Sequence, residues 1–180
     1  MKTTDSTKKT RVFFSVVFLL VFFVNASIIA YIGAGKEGGN AIVPDLLLAL
    51  AAVCGIICPD VKGISVIALV FGVISDVFIT PPAHLSPFLF FIAAYFAKKT
   101  VNIFTRTNAL TAAVASVPFF LIRAVVGSIY VMAEYKESAL SEVLKKTILP
   151  EFAINVLSVV ILYIIVNFLY KRFKRRFYLM

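Results

Sequence analysis

GISVIALVFGVISDVFITPPAHLSPFLFFIAAYFA, residues 63–97, runs for 35 positions without a Lys, Arg or Glu. As one helix, at about 1.5 Å per residue, it would reach roughly 52 Å, far beyond a hydrocarbon core of about 30 Å. Pro81-Pro82, with Pro87 close behind, supplies the break that a hairpin needs. The stretch therefore reads as two membrane spans, Gly63–Thr80 and His84–Ala97. Upstream, Pro59-Asp60 closes an apolar run over Ala41–Cys58. A Gly-rich turn from Gly33 to Asn40 separates that run from a first span, Val12–Ala34. Downstream come Leu110–Met132 and Ile148–Tyr170. The first span is too long, and lacks the small-residue pattern, for a cleaved signal peptide. The expectation is an all-α integral membrane protein with six transmembrane helices. Residues 12–170 form its single domain, between a basic tail at 1–11 and another at 171–180.

Composition agrees. The 180 residues are 61% hydrophobic and 15% charged, against about 45–50% and about 25% in soluble domains. There are 18 Lys+Arg against 9 Asp+Glu, a formal net charge of +9. On so apolar a chain this excess marks helix ends facing the cytoplasm rather than a nucleic-acid partner. With six spans and the N-terminus inside, 13 basic residues are cytoplasmic: Lys2, Lys8, Lys9, Arg11, Lys62, Lys98, Lys99, Arg106 and five between Lys171 and Arg176. Four lie outside: Lys36, Lys136, Lys145 and Lys146. Five spans would give 8 inside and 9 outside, so the positive-inside rule selects six helices with both termini cytoplasmic.

Ionisable groups within spans cost about 2.5–3.5 kcal/mol each on insertion scales, so each needs a partner or a purpose. Asp45, Asp76 and Arg123 are at such depths, with Asn25 and Asn155 as uncharged companions. All fall in the outer half of the membrane, as do Glu151 and His84. One reading makes Arg123 a structural clamp, paired with Asp76 or Asp45 between helices. The other makes the group a polar site opening outward, for a protein or a small molecule. Both remain open at this level.

Cys54 and Cys58 share a helix face, but two cysteines and one histidine make neither a disulfide framework nor a zinc site of the usual spacing, and they read as small packing residues. His84 reads as a turn residue. Ala26 and Ala30 form a small-xxx-small face. The loop from Ala133 to Thr147 reads as a short amphipathic helix on the outer surface or, more pointedly, a docking element. No Gly-rich phosphate cradle, HExxH, GxSxG or repeated DxxxD pattern is present, so neither an enzyme nor a bound cofactor or metal is expected.

Three stretches, in order, carry a resemblance. Pro44-Asp45-Leu46-Leu47-Leu48 opens the second span. Gly72-Val-Ile-Ser-Asp76 closes the third and is followed by Pro82. Leu149-Pro150, with Asn155, opens the last span, which ends in a basic cluster. Together, over roughly residues 42–172, they resemble the rod-shape-determining MreD family. The chain departs from that family at the turn: Ile79 to His84 has no Gly, and His84 takes the place of the second Gly of a Gly-x-Pro-x-Gly pattern. The resemblance implies a non-enzymatic component of the bacterial elongation complex in the cytoplasmic membrane, controlling cell shape and lateral peptidoglycan synthesis. Its implied partners are MreC first, then MreB, RodA and the penicillin-binding transpeptidase. In that setting Asp45, Asp76, Arg123 and Asn155 would stabilise or receive MreC, and the Lys171–Arg176 cluster would touch anionic lipids. The family is also similar in fold to the substrate-binding S components of ECF-type vitamin transporters, which implies an alternative function of that kind.

Overall fold

The computed structural model describes residues 2–33, 44–78, 86–104, 107–134 and 149–178. These form six α-helices and no strand: α1 (Lys2–Gly33), α2 (Leu46–Ile57), α3 (Val61–Phe78), α4 (Ser86–Val101), α5 (Ala109–Glu134) and α6 (Leu149–Tyr178). The Pro81-Pro82 turn, His84 and nearly all of the loop expected to carry a surface helix lie outside the described residues.

α1, α3, α5 and α6 are long and apolar enough to cross a membrane. α3 and α4 are separate helices, as the prolines between them require. α1 and α6 continue as helix through the sequences read as basic tails. α2 departs most from expectation: it has 12 residues, about 18 Å, where the apolar run predicts a full span. Its start is set by Asp45, whose side-chain Oδ1 accepts from Leu48 N at 3.1 Å and caps the helix.

α2 is the centre of the fold. Every residue from Leu47 to Ile56 is buried, Cys54 among them, and the helix touches all five others. A helix that is apolar all round belongs in such an interior. Cys58, at its C-cap, is buried too, and both cysteines are free. Gly55 lets α4 approach closely, since a Cβ there would overlap the carbonyl of Ala94; Gly72 does the same for α3 against Pro87. The outer faces of α1, α3, α5 and α6 expose Val, Leu, Ile and Phe side chains in numbers that only a lipid environment accommodates.

The helices alternate in direction between two ends. At one, which we call the Asp60 end, Arg11 Nε donates to Asp60 Oδ2 at 2.6 Å. Lys98 Nζ donates to the carbonyl of Cys58 at 3.2 Å, and the Tyr163 hydroxyl donates to the Thr107 carbonyl at 3.3 Å. Asn108 and Thr111 cap α5 reciprocally, backbone N–H to side chain, at 2.8 and 2.9 Å. The start of α1 and the close of α6 also meet here, Phe13 stacking on Phe173 with ring centroids 4.7 Å apart. The two termini thus emerge on the same side of the bundle.

Candidate functional site

The first four N–H groups of a helix lack intrahelical partners, and at α2 two other helices and the capping residue itself supply acceptors. Asn155 Oδ1, on α6, accepts from Asp45 N at 2.7 Å. Asn25 Oδ1, on α1, accepts from Leu46 N at 3.4 Å. Asp45 covers Leu48 N itself. From α5, Arg123 Nε approaches Asp45 Oδ2 at 2.9 Å, an ion pair rather than an aligned hydrogen bond. Asn25, Asp45 and Asn155 are buried, while the Arg123 side chain retains 27% of its exposure.

Counted along α1, α2, α5 and α6 at about 1.5 Å per residue, the four side chains each lie roughly 20 Å from the Asp60 end. That is about two-thirds of the way across a core of about 30 Å. Backbone that is not helical can persist at that depth only if protein or enclosed water satisfies it. The cluster does so, and its charges follow the helix: a carboxylate at the positive end of the α2 dipole, with a guanidinium to neutralise it.

Of the four residues singled out from sequence, three are brought together here: Asp45, Arg123 and Asn155. Asn25 joins them. Of the two carboxylates open as partners of Arg123, Asp45 holds it. Asp76 is half-buried on α3. Beside the cluster, Phe120, Arg123, Ala124, Glu151, Phe152 and Asn155 line a cavity of about 10 Å³, the volume of one water. This cavity admits a water and not an organic ligand.

A second charged pair was not foreseen. The sequence places Arg11 in a basic tail and Asp60 at a helix stop. Asp60 is the N-cap of α3, accepting from Gly63 N at 3.2 Å, while Arg11 bonds its other oxygen. The guanidinium holds the Asp60 carboxyl below its ordinary value of 3.8, helped by the Gly63 bond and opposed by burial. An Asp three residues before a Gly at a helix start was the available signal. A Cβ at Gly63 would press on the Asp60 carboxylate and the Arg11 guanidinium, so the pair would have to shift to admit one.

Among known families, a model described as rod shape-determining protein MreD matches residues 8–173. No curated protein and no solved structure matches the chain.

Proposed function

The chain belongs to the MreD family of rod shape-determining proteins, and from that membership we propose that it is a non-enzymatic docking component of the bacterial elongation complex. The family is one of structural, shape-determining proteins, and a multi-pass protein of the cytoplasmic membrane fits both the family and the four long apolar helices. In this reading the chain binds MreC through its outer surface and helix faces. Through MreC and neighbouring partners it controls where lateral peptidoglycan is made. MreB, RodA and the transpeptidase are the remaining partners. Both termini, at the Asp60 end, face the cytoplasm, because the basic residues concentrate there.

The observation that carries the proposal is the inward-turned polar cluster. Arg123 pairs with Asp45, while Asn155, Asn25 and Asp45 accept from backbone amides at the start of α2, and the adjoining cavity has room for one water. Such a group is a clamp: it holds α1, α5 and α6 around α2 and so fixes the surface that a partner reads. Asp76, on α3 near the same level, is assigned to that surface.

The test is depletion of the chain from rod-shaped cells, with affinity purification of the tagged protein from their membranes. The expected result is rounded cells and retention of MreC. Cells that stay rod-shaped, or a chain that leaves the membrane with a vitamin and an ATPase module, would refute the proposal.

A further inference from the structure

At the Asp60 end, α1 and α3 diverge and leave a groove of about 650 Å³ that opens sideways from the bundle. Its floor and walls are apolar: Val12, Val16 and Leu19 from α1, Val66 and Ile67 from α3. Several of these are strongly exposed, Val12 at 64% and Val66 at 57%. Two cations, Arg11 and Lys62, stand at its mouth. Arg11 has its Nε committed to Asp60, but a guanidinium carries four further N–H donors, and its side chain is 51% exposed. Lys62 is exposed. Lys8, one turn earlier on α1, is exposed as well.

We propose that this groove binds one anionic phospholipid. Lys62 and the outer edge of the Arg11 guanidinium hold the phosphate, and an acyl chain lies along Val12, Val16 and Val66. Depth identifies the occupant. From Lys62 to Phe71 the groove follows nine residues of α3, roughly 14 Å, or about half of a hydrocarbon core of about 30 Å. That is one leaflet. A partner's transmembrane helix would need a seam across both, and the seam is closed: Phe71 stacks on Phe18 at 5.3 Å and tilts against Phe22 at 6.5 Å between centroids. Charge points the same way, since basic residues at the mouth of an interhelical pocket suit an anionic headgroup. The Arg11–Asp60 pair, capping α3 through Gly63, fixes the two helices at the spacing that keeps the groove open. This site is independent of the rod-complex reading and stands or falls separately from it.

The test uses the full-length chain in mild detergent, read by native mass spectrometry. Phosphatidylglycerol is titrated against phosphatidylcholine of the same acyl chains, with inorganic phosphate as a separate competitor. The wild type is expected to retain one phosphatidylglycerol in preference to phosphatidylcholine. Lys62→Ala should weaken that retention about fivefold, the factor for one basic group near a membrane surface. Val66→Trp fills the groove without changing charge and should weaken it comparably. Both replace exposed side chains, and Lys99→Glu, a charge change on α4 outside the groove lining, should leave retention unchanged. Equal binding of phosphatidylcholine, or no effect of Lys62→Ala, would overturn the proposal. So would displacement by inorganic phosphate at the lipid's own concentration, or a photocrosslinker at position 66 that captures a protein helix in cell membranes.

Discussion

Replacing Arg123 by methionine while leaving Asp45 in place strands a carboxylate two-thirds of the way into a bilayer. At 2.9 Å between Nε and Oδ2 and an effective dielectric of about 20, the attraction removed is about 6 kcal/mol. Desolvation of the two ions offsets much of that when both are present, so the net worth of the pair is far smaller than its attraction. Breaking one side is different, because a buried charge remains; such changes cost about 3–5 kcal/mol. With the Arg123 side chain 27% exposed, the lower end applies, about 3 kcal/mol. Asp45→Asn should be milder, about 1 kcal/mol. Asn caps a helix as well as Asp does, and the stranded Arg123 can extend toward the membrane surface. Combining the two removes both charges and keeps the cap. The double variant is expected within about 1 kcal/mol of wild type, a coupling of about 3 kcal/mol. The assay is denaturant unfolding of the purified chain in mixed micelles, for wild type, each single variant and the pair. MreC co-purification provides a second readout and should follow stability. If the two changes add to within about 0.5 kcal/mol, the ion pair does not hold the bundle together. If the double variant is as stable as wild type yet loses MreC, the pair contacts the partner directly and the clamp argument fails.

Three further outcomes are expected. Asn155→Leu leaves the buried N–H of Asp45 without its 2.7 Å acceptor and should cost about 2 kcal/mol, whereas Asn25→Leu, at 3.4 Å, should cost less than half of that; the same unfolding assay ranks them. Gly55→Ala places a methyl on the Ala94 carbonyl, backbone that cannot swing aside, and should lower accumulation in membranes by separating α2 from α4, a loss of about 3 kcal/mol. The Asp60 carboxyl is held below 3.8 by Arg11, so its contribution is present above the ordinary carboxylate value and is lost as pH falls through the lowered one. The stability difference between wild type and Asp60→Asn should accordingly be constant well above the ordinary carboxylate value and shrink progressively as pH falls through the lowered one.

The helices were legible because membranes impose simple rules. Lengths of apolar sequence, prolines at 81 and 82, and the asymmetry of Lys and Arg are enough to propose six antiparallel elements, and the structure has them. The length of α2 was less legible, although its signal was present: Pro44-Asp45 before a Leu run is an N-cap as much as the interior of a span. Hydropathy alone takes the run from Ala41 as continuous. Arg123 needs a carboxylate, but α2 begins and α3 ends at similar heights, so the sequence offers two, Asp45 and Asp76. The choice depends on which helices are neighbours of α5, and that is tertiary information. The same limit hid the Arg11–Asp60 pair, whose members are 49 residues apart and belong to segments that looked solvated. Gly55 and Gly72 could not be told from other small residues, because only a neighbouring backbone makes a missing Cβ necessary.

The capping of α2 by a distant residue bears on how the chain is made. Asp45 and Asn155 are 110 residues apart, and at about 5–20 residues per second the ribosome needs roughly 5–20 s to pass from one to the other. Through that interval α2 to α5 are synthesised, yet the amide of Asp45 has no acceptor from α6 and, for most of it, its carboxylate has no guanidinium. Until α6 arrives, the start of α2 therefore lacks contacts that it has in the folded protein. A helix made more than a hundred residues later thus completes the cap of the one at the centre, and a nascent chain truncated before α6 would leave the Asp45 amide without that acceptor.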